Sequence, residues 1–221
     1  MNYRRLKANT FLVAMITLMP GTTNLMPRTT NGEETTLVRV EEDWEVEVGE
    51  PELSKNAPQV SMVMSPLPDL TSYYFIFDLN FHSLPNYSEG GAQVQLWDAN
   101  EPLDFRNSPL TSPLDQDAET LRWTQKLSLQ NGIVTFEIDQ GTSTSWGDFG
   151  GQGYLKTTVS TGQTNLNDYR PTISLIDSGI GYAGNRVVSL KLLRLKWVTS
   201  SGEVHEIHAP IDIDSDLDPW D

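Results

Sequence analysis

The sequence predicts an all-β protein built as a two-sheet antiparallel β-sandwich, and three observations carry that prediction. Apolar residues recur at every second position through most of the chain, the spacing that turns one face of a strand toward a core. No stretch of comparable length repeats its apolar residues at the three-to-four spacing of an amphipathic helix. Turn residues punctuate the alternating runs, most clearly at Asn131-Gly132, a pair that tolerates positive φ at both central positions of a two-residue hairpin turn. About ten strands are expected at this spacing. The absence of an internal sequence repeat sets a propeller or solenoid aside.

The elements follow in order. Arg4, Arg5 and Lys7 precede an uncharged apolar run from Phe11 to Met19, the pattern of a secretory signal peptide, since a spanning helix needs about 20 apolar residues. Residues 1–23 are read as that signal, 24–35 as a flexible leader, 36–210 as the sandwich domain and 211–221 as an acidic C-terminal tail. In the domain, Val40, Trp44, Val46 and Val48 alternate with Arg39, Glu41, Asp43, Glu45 and Glu47; Glu42 interrupts the apolar face, which predicts a bend or bulge there. Tyr73, Phe75, Phe77, Leu79 and Phe81 alternate with Asp78, Asn80 and His82, a strand expected near the centre of the core. Ala92, Val94 and Leu96 form the next strand, and residues 99–118, with Pro102, Pro109 and Pro113 among polar neighbours, read as a long surface loop. Leu121 to Leu129 and Ile133 to Ile138 flank the Asn131-Gly132 turn. Tyr154 to Val159, Arg186 to Val198 and Glu203 to Ile207 complete the set, the last two joined by Ser200-Ser201-Gly202.

Lys and Arg number 15 against 30 Asp and Glu, a net charge of −15; removing residues 1–23 takes away three cations and no acid, leaving −18. A chain this acidic repels phosphate backbones and anionic lipid, which argues against nucleic-acid and membrane-surface partners and favours neutral ligands, cations or basic surfaces. There is no cysteine, so neither a disulfide framework nor a lipoprotein anchor is available. The chain is expected to be secreted, periplasmic or at the cell surface, with no stable membrane span once the signal is cleaved.

Glu137-Ile138-Asp139 is the sharpest chemical signal. Residues two apart on a strand share a face, so both carboxylates project together, and a retaining glycosidase needs two carboxylates about 5 Å apart. This patch resembles the E-x-D-x-x-E strand of the laminarinase and lichenase group of concanavalin-like endoglucanases. The resemblance implies Glu137 as nucleophile and Asp139 as its assisting carboxylate. The position of that group's acid/base glutamate holds Thr142, with Gly141 in the shorter variant of the motif. A hydrolase would need its acid from elsewhere, with Glu119 and Asp148 as candidates; the plain alternative is a solvent-facing acidic pair on a half-buried strand.

Ser145 to Tyr154 combines three aromatics with four glycines. Flat rings offered by a glycine-rich loop suit sugar stacking, which nominates Trp146, Phe149 and Tyr154 as a binding surface, with Asp148 and Gln152 reading hydroxyls. The competing expectation is a kinked connection whose rings cap the core. Phe149 to Lys156, and Gly181 to Leu190 with Asn185-Arg186-Val187, resemble uncharacterised secreted bacterial jelly-roll proteins. The resemblance supports a jelly-roll or concanavalin-like sandwich and assigns no site.

The remaining motifs are weaker. Gly179 to Gly184 spells G-x-G-x-x-G, with residues 173–176 ahead of it a possible strand, but a strand rather than a helix is expected to follow. His205 and His208 lack the spacing of a zinc-peptidase pair, and no G-x-S-x-G elbow occurs. Asp212, Asp214, Asp216 and Asp218 could wrap Ca²⁺, though an EF-hand's turn glycine and distal glutamate are missing, so the bland reading is a solvated tail. Ca²⁺ is the only cofactor suggested. The expectation is an exported, non-catalytic module that binds extracellular carbohydrate. A β-glucan hydrolase using Glu137 and Asp139, or a structural or adhesive envelope protein contacting other extracellular proteins, are the alternatives.

Overall fold

The computed structural model describes residues 35–49, 59–79, 91–110, 114, 116–182 and 187–213. The signal segment and residues 24–34 of the leader lie outside the described residues, as do Asn80, Phe81, His82, Asp214, Asp216 and Asp218. Twelve strands and one short helix make up the described chain: β1 Leu37–Val48, β2 Gln59–Met64, β3 Tyr73–Leu79, β4 Ala92–Asp98, β5 Glu101–Asn107, β6 Glu119–Gln130, β7 Ile133–Ser143, β8 Gly147–Phe149, β9 Lys156–Ser160, α1 Pro171–Asp177, β10 Gly179–Tyr182, β11 Val187–Thr199 and β12 Val204–Asp212.

They form the antiparallel two-sheet sandwich that the period of two predicts. One sheet runs β12-β11-β1-β6-β7-β8, with β9 also paired to β7; the other runs β10-β2-β3-β4-β5. The inward faces meet through aromatic contacts: Phe75 stacks on Phe136 with centroids 5.1 Å apart, and Phe77 meets Trp123 edge-on at 5.6 Å. Such pairs add about 0.5–1.5 kcal/mol to the area they bury. At the side of the sandwich, Thr157 of β9 donates to Asp104 of β5 at 2.8 Å, tying the sheets together.

The predicted hairpin is present, with Asn131 at φ 52° and Gly132 at 74° between β6 and β7, the backbone of a turn whose twist matches its strands. β3 is the central strand of its sheet, as expected. Three expectations are corrected. The segment read as one long loop contains β5, which pairs with β4 from Gln93–Asn107 to Asp98–Glu101. Its residues are exposed on both sides, so no alternation marks it, and Pro102 is tolerated because β5 is an edge strand. Residues 173–176 belong to α1, started by Pro171 at its first turn. Glu42 causes no bend: it stays in register with Gln125 and Leu195, and the irregularity lies one step along, in β11 opposite Asp43 and Trp44.

Candidate functional site

Glu137 and Asp139 do project together, from the outer face of β7. Between them sits Lys126 of β6, whose Nζ lies 3.0 Å from Glu137 and 3.5 Å from Asp139. Partial burial opposes the charge on Lys126, but its hydrogen bonds and charge pairing with the two carboxylates outweigh this and hold its pKa above the usual value. Asp139 also caps the backbone N–H of Gln140 at 2.9 Å, where the chain turns through φ 51°.

Neither candidate acid joins them. Glu119 has the parity of the buried Leu121 and Trp123, so it faces the opposite side of the sheet. There it accepts from Ser143 Oγ at 2.6 Å, Ser145 Oγ at 2.7 Å and Ser145 N–H at 2.9 Å, fastening the turn after β7. Asp148 is exposed on β8 opposite Thr142. Lys126 and the two carboxylates form one of several ion pairs across this face, with Lys196 to Glu41 at 2.8 Å and Arg194 to Asp43 at 2.7 Å among the others.

The aromatic and glycine segment is also corrected. Trp146 and Phe149 are core residues, packed edge-on at 5.6 Å. Glycines opposite them make the room: a Cβ on Gly91 would lie 2.0 Å from Trp146, and one on Gly141 2.4 Å from Phe149. Tyr154 is half-buried against the core and its hydroxyl accepts the Gly150 N–H at 3.2 Å. Asp148 and Gln152 are exposed with no stacking face of Trp146 or Phe149 beside them in solvent.

The other singled-out residues stand apart. Asp212 lies on β12 and accepts the Leu190 N–H at 3.3 Å, so the strand runs into the segment read as tail. His205 stacks on Trp197 at 5.5 Å, and His208 sits 3.1 Å from Glu206. Gly179 to Tyr182 is a strand, which leaves no helix start for a dinucleotide at that motif.

The face that the sequence did not single out is the outer side of the five-stranded sheet. Register places Ser61 beside Asp78, Asp78 beside Gln93, Tyr74 beside Trp97, Gln95 beside Phe105 and Gln93 beside Asn107. At one end the rings form a ridge: Tyr74 stacks on Trp97 at 6.3 Å and Trp97 meets Phe105 edge-on at 6.4 Å. Phe105 is 44% exposed and its neighbour Leu103 51%. Next to the ridge runs a chain of polar groups. Trp97 Nε1 donates to Gln95 Oε1 at 2.7 Å, Gln95 Nε2 to Asp78 Oδ2 at 2.7 Å and to Gln93 Oε1 at 2.8 Å, and Gln93 Nε2 to Asn107 Oδ1 at 2.6 Å. Ser61 Oγ donates to the other oxygen of Asp78. Burial pushes the Asp78 carboxyl up to about 7, against the opposing hydrogen bonds from Ser61 and Gln95. The alternation of Gln93, Gln95 and Trp97 against Ala92, Val94 and Leu96 was the available signal: a polar side of a strand that carries amides and a tryptophan in place of charges.

A second buried carboxyl, Glu42, faces the core from β1. It accepts from Trp44 Nε1 at 2.9 Å, Ser174 Oγ at 2.7 Å, Tyr169 Oη and Gln125 Nε2. Burial raises its pKa against those four donors. The arrangement clamps the segment entering α1 onto the first sheet, and complete burial withholds Glu42 from any large ligand. No group of three metal-ligating side chains occurs among the described residues, and no helix there is long and apolar enough to cross a membrane.

No protein-family model matches the chain, and no curated protein matches it. Among solved structures it is similar to scytalido-glutamic peptidase with a peptide-based transition-state analogue, at 10% identity and a TM-score of 0.33, over 79% of this chain and 82% of that one. A structure of the same peptidase with a transition-state analogue inhibitor is similar at 11% identity and 0.34, over 79% and 82%. SCP-B, a member of the eqolisin family of peptidases, in a complex with the tripeptide Ala-Ile-His, is similar at 12% identity and 0.30, over 79% and 81%. At this level of likeness no residue role carries over.

Proposed function

We propose that the protein is an exported, non-catalytic binding module that takes an extracellular carbohydrate on the ridge of Tyr74, Trp97 and Phe105. The observation that carries this reading is the ridge itself: Trp97 in contact with Tyr74 on one side and Phe105 on the other, on a sheet face turned away from the core, with the Gln95 amide holding the central indole. Apolar ring faces beside a few fixed polar groups are the usual composition of a small-molecule site. By strand parity no Lys or Arg lies on this face among the described residues, and the net charge of −15 repels an anionic ligand. A binding role fits the carboxylates better than hydrolysis does. Glu137 and Asp139 share Lys126 with no third carboxylate joined to them, and Asp78 and Glu42 are buried.

The test is a tryptophan-fluorescence titration of the full chain with soluble neutral and anionic polysaccharides, with the same mixtures assayed for new reducing ends. Saturable binding to neutral glycans, no reducing ends, and a loss of affinity of about tenfold or more in Trp97→Ala are expected, tenfold being about 1.4 kcal/mol. New reducing ends, or unchanged affinity in Trp97→Ala at unchanged unfolding midpoint, overturn the proposal.

A further inference from the structure

This inference rests on the reading of the ridge as a carbohydrate surface and names the sugar it selects. We infer that Asn107 is the specificity-determining residue of the site and that it selects 2-acetamido sugars, its side-chain amide pairing with the acetamido group while the acetamido methyl rests on Phe105.

The argument begins at Trp97. An indole N–H can only donate, so the group facing it must be an acceptor, and Gln95 must turn Oε1 to it. That choice turns Gln95 Nε2 toward Asp78 and Gln93 Oε1. Gln93, with Oε1 turned to Gln95, meets Asn107 through Nε2, and Asn107 presents Oδ1 back to it at 2.6 Å. The polarity of the whole row is therefore set at the indole and passed outward from amide to amide. It holds whether Asp78 carries its proton or not, because Ser61 can donate to or accept from the other carboxyl oxygen. The row ends at the exposed Asn107 of the edge strand β5, whose Nδ2, with Oδ1 turned to Gln93, is the donor left for a ligand.

A side-chain N–H is complementary to the C=O of another amide. Phe105 shares this face with Asn107 two residues along β5, about 7 Å away at the rise of a strand. Within that span an acetamido group can place its C=O on Asn107 Nδ2 and its methyl on the ring, while its N–H, trans to the C=O, points away. A plain hydroxyl in the same place supplies one hydrogen bond and leaves the Phe105 face uncovered.

The test compares two oligosaccharide series with the same β-1,4 backbone and length, N-acetylated chito-oligosaccharides and cello-oligosaccharides, by isothermal titration with the full chain. The wild type is expected to bind the N-acetylated series at least tenfold more tightly. Asn107→Asp keeps an acceptor for Gln93 and replaces the donor by a carboxylate; it should remove that preference by lowering affinity for the N-acetylated series. Gln93→Met, which touches no ligand, should reduce the preference several-fold by freeing the Asn107 amide to flip. Equal affinity of the wild type for both series, or an Asn107→Asp variant that keeps the preference, overturns the inference while the ridge stands. Failure of either series and of every other saccharide to bind the wild type removes the ridge reading as well.

Discussion

Replacing Asp78 by Asn should make the protein's stability less sensitive to pH by an amount that the structure sets. The Asp78 carboxyl is fully buried and held at about 7, against an ordinary value of 3.8. A folded-state pKa above the unfolded one means that the native state holds its proton more tightly. The contribution of Asp78 to stability is therefore complete below about pH 4 and is lost as pH rises through 7. At 1.36 kcal/mol per unit, the difference between the two values corresponds to about 4 kcal/mol lost between pH 4 and pH 8. Asparagine preserves the contacts, since its Oδ1 can accept from Gln95 Nε2 and its Nδ2 can donate to Ser61 Oγ. Glu42, also raised by burial, contributes with the same sign. It lies in the other sheet with no shared partner and cancels when the two proteins are compared. Urea unfolding of both proteins from pH 4 to pH 8 measures this directly. The gap between wild type and Asp78→Asn should move by about 4 kcal/mol in favour of the variant as pH rises. A gap constant to within about 1 kcal/mol would refute the claim that Asp78 is buried with an elevated pKa.

Two further outcomes follow from the core. Trp146→Ala should cost about 3–5 kcal/mol of stability, as removal of a large buried ring does, while leaving saccharide affinity intact; thermal unfolding beside the titration above separates this from a binding role, and a variant of unchanged stability would contradict its core position. Glu42→Leu strands the donors of Trp44, Ser174, Tyr169 and Gln125 in the interior and should cost about 3 kcal/mol or more, read as a lowered urea midpoint; a neutral result would mean those donors find other partners.

Local chemistry made much of the fold legible. Asn131-Gly132 needs only its own two residues to specify the turn, and β1, β3 and β4 announce themselves because their core-facing apolar residues recur at every second position. β5 left no trace in the pattern because both its faces are exposed; its existence depends on the backbone of β4. The candidate site was half visible. Parity alone puts Asp78 opposite the core side of Phe77 and Leu79, and puts Gln93, Gln95 and Trp97 on one face. Which of these residues meet is a matter of register among β2, β3, β4 and β5, and register is set by all four strands at once.

The glycine-rich segment shows the same division from the other side. The sequence displayed Trp146, Phe149 and their glycines, and this composition serves a surface loop and a core corner equally well. The direction of the rings was decided by Gly91, more than fifty residues away, and by Gly141 across the β7–β8 pair, whose missing side chains open the space the rings fill. By itself, then, the sequence determined the all-β class, the tight hairpin and the faces of the best-marked strands, because alternation and turn propensity are local. Only the tertiary structure decided which polar faces would meet, which aromatics would be buried, and that the exposed rings would be Tyr74, Trp97 and Phe105, because these depend on contacts between segments far apart in the chain.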